Sequence, residues 1–531
     1  MPFTPLRLSR RALLGTGSTL LGAPGLVSAQ SGRSRVLRFV PQADLAVLDP
    51  VFTTASVTAN HAFMVFDTLY GWDKDYRPRP QMAAGHLIED DGLTWIIKLR
   101  DGLRFHDGEK VLARDCVASI LRWGARDMFG QEVIARSEEI IARDDRTLQF
   151  RLKQPFPRLA MALGKSSSNV PVIMPERLAR TAATTQVTDM VGSGPYRFLA
   201  DERMAGARAA YARFTDYVPA PDGAPSRTAG PKLAHFDRVE WLIIPDQATA
   251  AGALMSGEVD WVESTSSDIA PMLQRSRDVK VAYSDDLYQV ILRFNHLHAP
   301  FNNAGVRRAL LGAINQEEML QAAYGTDPRG WNAGIGVFTS DSPMASKAGL
   351  EPLAGKRDYG KVRQALAAAG YKGETVAMLQ AEDYPTLRAL AEVSAHVMRE
   401  CGMNVESHTG DWGTVSTRRA NREGLERGGW SAFCTGLSYS LDPSGHLGLR
   451  ANGARAWFGW PDSPRLEALR QDWFMADMVE EQQRIGREIQ LQAMQDVPYI
   501  PLGEYRRLQA ARADLSGFPE GAAYFWGVHR S

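Results

Sequence analysis

The run Leu99-Arg100-Asp101-Gly102-Leu103-Arg104-Phe105-His106-Asp107-Gly108 holds two Asp-Gly pairs, at 101–102 and 107–108. Asp-Gly favours a tight turn, because Asp hydrogen-bonds its own backbone and Gly accepts positive φ. The residues just before it, Leu93-Thr94-Trp95-Ile96-Ile97-Lys98-Leu99, have strand composition. A helix is expected after it, from about Ala113 to Arg122, and a further strand over Thr147 to Leu152, stopped by Pro155 and Pro157. Strand, turn and helix follow one another in a short span, which is the mark of a layered α/β chain. His106 and Asp107 resemble half of a catalytic triad, but the turns on either side favour a structural histidine.

The alternation continues outward. Val36 to Val40 reads as a first strand, and Leu48-Asp49-Pro50 closes a loop. Ala59 to Tyr70 is helical in pattern, with Phe63, Phe66 and Leu69 on one face. Ala220 to Pro231 is a Pro/Gly/Ser-rich connection, followed by a strand at Trp241 to Ile244 and a helix from Asp246 to Met255. Tyr288 to Phe294 reads as a strand and Val306 to Ile314 as a helix. Helices are also expected over Tyr359 to Ala369 and Thr386 to Glu400, each ended by a glycine. Arg465 to Met494 reads as two helices broken near 474–478, and Tyr499 to Leu502 returns as a strand.

The chain has 531 residues, 44% hydrophobic and 23% charged, so it is globular and too long for one core. Lys and Arg number 61, as do Asp and Glu, which argues against nucleic acid as a partner. Residues 1–29 read as an export signal. Arg10-Arg11 precede an apolar run broken by Gly15, Gly17, Gly22, Pro24 and Gly25, and Val27-Ser28-Ala29 offers a cleavage site. The arginine pair resembles a twin-arginine signal. No cysteine stands at the cleavage site for a lipid anchor. A free periplasmic protein is therefore expected, slightly acidic once Arg7, Arg10 and Arg11 are removed.

Catalytic constellations are missing from the sequence. It contains no H-E-x-x-H, C-x-x-C, G-x-S-x-G or phosphate-binding P-loop, and Gly334-Ile335-Gly336 lacks the third glycine of a dinucleotide loop. An exported hydrolase has no assembled nucleophile, so the chain is read as no enzyme and no cofactor is assigned. His296-Leu297-His298 is the one metal candidate, since residues two apart on an extended segment share a face. It supports an alternative reading as a metal-chelate or haem carrier, although a pair of hydrogen-bonded histidines is the simpler account. An oxidising compartment allows a Cys401–Cys434 disulfide. What remains is a set of aromatics in polar, Gly-rich surroundings: Trp412, Trp430, Phe433, Tyr439, Trp457, Phe458 and Trp460. Tryptophans on short loops between lobes are typical walls of ligand clefts.

The ordered motifs resemble a family. They are Leu48-Asp49-Pro50, Val65-Phe66-Asp67-Thr68-Leu69-Tyr70, the 99–108 run, Val191-Gly192-Ser193-Gly194-Pro195-Tyr196 and Leu254-Met255-Ser256-Gly257-Glu258-Val259-Asp260. Asn295 with Pro300-Phe301, Val306-Arg307-Arg308-Ala309-Leu310, Ala365-Leu366 to Ala369-Gly370-Tyr371 and Asp442-Pro443 follow. In this order they are similar to solute-binding protein family 5, the dipeptide- and oligopeptide-binding proteins of ABC importers. The resemblance implies a bilobal periplasmic-binding-protein fold of type II, enlarged peptide-binding class, with an extra α/β subdomain in lobe one. It implies lobe one at 31–63, 190–290 and 495–531, the subdomain at 64–189 and lobe two at 291–494. It also implies a monomer that captures a peptide-like or other small organic solute and delivers it to membrane permease subunits.

Peptide-binding members carry an acidic residue soon after a Gly-Trp, where it pairs with the peptide's ammonium. Here Gly429-Trp430 is followed by Ser431-Ala432-Phe433-Cys434-Thr435-Gly436-Leu437-Ser438, with no acid before Asp442. A buried ammonium without a carboxylate is costly. The departure implies a less cationic or non-peptide solute. Trp412, Trp430, Phe433 and Thr435 are the expected cleft residues, with Tyr288 joining from the hinge side.

Overall fold

The computed structural model describes residues 35–531 except Tyr439 and Asp477. The expected export signal and Tyr439 lie outside the described residues.

Two long antiparallel strands, Val279–Phe294 and Tyr499–Arg512, organise the molecule. At one end Ala510 and Ala511 pair with Trp261–Val262, which leads on to Val36–Val40, Arg238–Leu242, Arg208–Arg213 and Tyr196–Phe198. At the other end Gln289–Phe294 pairs with Ala432–Leu437, which leads to Thr375–Ala381 and Asn404–Gly410. Trp331–Asn332 adds to the flank of Tyr499–Arg512. The two strands thus belong to both halves of the sheet and join them. Parallel pairs occur where helices cross back over the sheet, as from Thr375–Ala381 through the helix Pro385–Glu400 to Asn404–Gly410.

A separate antiparallel sheet runs in the order Ala83–Glu89, Thr94–Leu99, Thr147–Leu152, Ser137–Ala142. Helices Ala113–Gly124 and Met128–Arg136 cover it. Its core continues into the half holding residues 375–437: Phe129 and Phe156 meet Phe474 at 5.9 and 6.1 Å, and Arg450 reaches Glu132 at 2.7 Å. A second core, around Phe39, Tyr211, Trp241, Phe525 and Trp526, fills the other half.

The shared motifs lock the chain to itself. His106 donates from Nε2 to the Gly194 carbonyl at 3.0 Å, and its own backbone N–H donates to Gly192 O at 2.8 Å. Gly192 and Gly194 are required because a Cβ there would lie 2.0 Å from Val65 O and 2.6 Å from Met64 O. Asp49 is fully buried and accepts from Arg122 Nη1 and Nη2 at 3.1 and 2.6 Å, as well as from the Val51 and Val187 N–H groups.

The helix expected over 59–70 spans Ser56–Val65 instead. Val65 O accepts the Gly194 N–H at 2.9 Å, and Asp67–Thr68 pairs as a strand with Val172–Ile173. Partners distant in sequence override the local helical pattern. The strands expected at Tyr288–Phe294 and Tyr499–Leu502 are much longer than their apolar runs. All three cysteines are buried and free, so the Cys401–Cys434 pairing is not made; Cys434 Sγ instead meets Ser394 Oγ at 3.5 Å.

Candidate functional site

A narrow cleft lies between the two sheet halves. Gln42, Thr54, Ser56 and Ser168 line one side. Tyr384, Trp412, Arg419, Thr435 and Trp457 line the other, and Tyr288, Tyr505 and Arg507 from the long strand pair form the floor. Two hydrogen bonds cross it: Tyr384 Oη donates to Gln42 Oε1 at 2.9 Å, and Trp457 Nε1 to Thr54 Oγ1 at 3.4 Å. Apolar rings with a few converging polar groups are the usual make-up of a small-molecule site.

The sequence places these groups through ordinary local rules. Asp411 caps the helix Trp412–Arg418 by accepting the Thr414 N–H at 2.9 Å. Trp412 and Arg419 are seven apart, so two helical turns bring them to one face. Thr435 stands on the strand Ala432–Leu437 opposite Ile291. Tyr505 stacks on Tyr324 at 4.1 Å and meets Tyr288 at 5.4 Å.

Two arginines face the cleft in opposite electrostatic states. Arg507 lies over the Tyr288 ring at 4.6 Å and is paired with the buried Glu263, which also accepts from Asn60 at 3.0 Å. Arg419 has no such partner. It is 2% exposed, no carboxylate lies within ion-pair distance among the described residues, and its Nε lacks a hydrogen-bond acceptor. Its guanidinium is surrounded by the rings of Trp412, Phe433, Phe458 and Trp457, at 4.9, 5.2, 5.3 and 5.9 Å. Burial lowers its pKa to about 9, still charged at neutral pH. Among the described residues, no Asp or Glu lines this cleft. The cavity therefore offers a desolvated positive charge with nothing to neutralise it.

Of the five residues expected from sequence, Trp412, Thr435 and Tyr288 line the cavity. Trp430 and Phe433 stand one layer behind it, which corrects their expected place on the wall. Trp430 is 1% exposed, packs on Phe433 and Trp460, and donates from Nε1 to the Arg419 carbonyl at 3.2 Å. Phe433 is fully buried against Arg419 and Trp457. Sequence reasoning missed Arg419, Arg507, Tyr384 and Tyr505. The seven-residue spacing from Trp412 was the available signal for Arg419.

The histidine pair does not converge. His296 Nε2 donates to Pro498 O at 3.3 Å and His298 Nε2 to Arg422 O at 2.8 Å. Among the described residues, no group of three or more His, Cys, Asp or Glu side chains is placed to hold a metal. No helix among the described residues is long and apolar enough to cross a membrane.

Residues 77–448 match the model of bacterial extracellular solute-binding proteins, family 5. The chain is 34% identical over 537 residues to a probable peptide ABC transporter periplasmic-binding protein, y4tO, of Sinorhizobium fredii, covering 99% of this chain and 100% of the relative. Its fold is similar to that of AgaA from A. tumefaciens R10 in complex with agropinic acid, with a TM-score of 0.76 at 19% identity over 93% and 99% of the two chains. It is equally similar to the oligopeptide-binding protein AppA from Bacillus subtilis in complex with a nonapeptide, with a TM-score of 0.76 at 18% identity over 93% and 99%. The bilobal fold, the ordered motifs and the match over most of its length place this chain in the bacterial extracellular solute-binding proteins of family 5.

Proposed function

We propose that the chain binds an acidic organic solute in the interlobe cleft, with the solute's anionic group resting on Arg419. Substrate binding for an ABC importer, in an extracellular or periplasmic location, is the role its family membership carries. The single observation behind the choice of solute is the buried Arg419 guanidinium, which has no ion-pair partner among the described residues and faces a stretch of the cleft that no described Asp or Glu lines. A carboxylate there forms a charge-assisted, geometrically specific pair. Beside Arg419 a peptide ammonium finds no carboxylate, since the nearby Glu263 already serves Arg507 and Asn60; Asp44 and Asp383 stand in the adjoining pocket beyond Tyr384. An acidic peptide derivative or another organic acid fits; agropinic acid in AgaA is such a ligand.

In this reading Trp412, Thr435 and Tyr288 contact the solute, while Trp430 and Phe433 hold the cage in place. Residues 31–63, 190–290 and 495–531 act as lobe one with the 64–189 subdomain, and 291–494 as lobe two. Contacts to both lobes favour the closed form through differential affinity, and the closed monomer docks on the permease. The protein binds and does not catalyse, and ATP is hydrolysed on another subunit. Export runs by the twin-arginine route.

Mass spectrometry of the solute that co-purifies with the mature protein, followed by a thermal-shift titration with it, tests the reading. A solute at 100 times Kd adds about 2.7 kcal/mol to stability. Recovery of a cationic or uncharged solute that stabilises the protein to this degree would sink the proposal.

A further inference from the structure

The cleft continues beyond Arg419. Thr54, Leu447 and Trp457 line it and also line a second cavity of ≈ 530 Å³. This outer chamber lies between residues 125–131, beside the four-stranded sheet, and residues 420–460 of the opposite half. Arg126, Arg422, Arg450 and Arg455 face it, and among the described residues no Asp or Glu does.

Arg450 is neutralised by Glu132 at 2.7 Å and Glu467 at 3.4 Å. Arg126 and Arg422 are not. Among the described residues neither makes an ion pair: the half-buried Arg126 donates to the Phe52 carbonyl at 3.3 Å, and the exposed Arg422 donates to the Ala454 carbonyl at 2.6 Å while lying over Trp460 at 4.9 Å. Arg455 stands exposed at the rim. The two guanidiniums come from opposite sides of the chamber; burial lowers the pKa of Arg126, the Asp49 carboxylate raises it, and Arg122 and then Arg422 lower it by smaller amounts. Like charges facing across a cavity repel at a distance set by the fold, and an anion between them relieves the repulsion.

We infer that the outer chamber is a second anion subsite, so that the solute carries two separated acidic groups. One rests on Arg419 and the other, a carboxylate or a phosphoryl group, sits between Arg126 and Arg422. The inference rests on the anionic-solute reading of Arg419.

Matched probes test it. N-acetyl-, N-succinyl- and N-phosphonoacetyl-glycine peptides of one to three glycines share a backbone and a terminal carboxylate. The second and third also carry a distal carboxylate or phosphonate. Binding to the mature protein is measured by calorimetry at low and moderate salt. A probe of matching length with a second anion binds at least tenfold tighter than its acetyl counterpart, and the advantage shrinks with salt. The variant R126Q/R422Q loses that advantage and keeps its affinity for the acetyl probe, which also shows that it folds. The succinyl and phosphonoacetyl arms distinguish the two anion chemistries. An acetyl probe that binds through Arg419 without any gain from the second charge overturns this inference and leaves the first reading standing. Loss of the acetyl probe in R126Q/R422Q overturns it too, since the arginines are then structural ties. Failure of every probe overturns both readings.

Discussion

In the proposed reading, function and stability pull in opposite directions at Arg419, and Arg419→Met separates them. Burial takes the guanidinium pKa from 12.5 to about 9. At 1.36 kcal/mol per pKa unit, holding this charge in the empty protein costs on the order of 5 kcal/mol. The four rings at 4.9–5.9 Å offset roughly 2–3 kcal/mol of that through cation–π attraction. Met has a similar length and keeps contact with the rings. The ligand-free R419M protein is therefore expected to be more stable than the parent by about 1–3 kcal/mol, while its affinity for the co-purifying solute falls by a hundredfold or more. Guanidinium denaturation of the ligand-free proteins reads the first effect, and calorimetric titration reads the second. A variant that is destabilised and still binds refutes the reasoning, because Arg419 is then a structural tie.

Three further outcomes are expected. Asp49→Ala leaves Arg122 buried without its carboxylate and should cost about 3–5 kcal/mol in denaturation, with solute affinity unchanged in the protein that remains folded; a loss under 1 kcal/mol would show that the pair contributes little. Trp430→Ala removes a fully buried indole and should destabilise the ligand-free protein by about 3–5 kcal/mol, whereas Trp412→Ala weakens binding more than folding; the reverse pattern in the two variants would return Trp430 to the cleft wall. His61 and His446, held near 3, and His106, held near 4, are neutral in the fold mainly through burial. Folding favours their uncharged form, so the stability they contribute is complete above pH 6.5 and is lost as the pH falls toward those values, by about 2 kcal/mol per histidine at pH 5. Denaturation midpoints that stay level from pH 7.5 to 5 would contradict this.

Much was legible from local patterns. The 99–108 run announced its two turns, and the structural assignment of His106 rested on those turns. What the pattern did not show is the partner: His106 bonds Gly194, in a motif nearly ninety residues away. The break expected in the 465–494 helical region appears between Met475 and Val479. The aromatic set was recognised as a set, but its layering was not. Trp412 and Trp430 both sit beside glycines and polar residues in sequence, and only the packing shows that one faces the cavity and the other supports the Arg419 backbone.

The division follows from what each kind of information depends on. Turn chemistry, capping and periodicity act over a few residues, so the α/β class, the family motifs and the lack of an acid after Gly429-Trp430 can all be read along the chain. Whether an arginine is neutralised depends on which carboxylates the fold brings within a few ångströms. Arg507 and Arg419 are both cleft arginines, yet Glu263, 244 residues from Arg507, serves one, and among the described residues no carboxylate pairs with the other. Charge balance inside a protein is a property of three-dimensional neighbours at low dielectric. The sequence therefore determined that this chain belongs to a family of two-lobed binders, and the tertiary structure decided which of its cleft arginines is paired with a carboxylate.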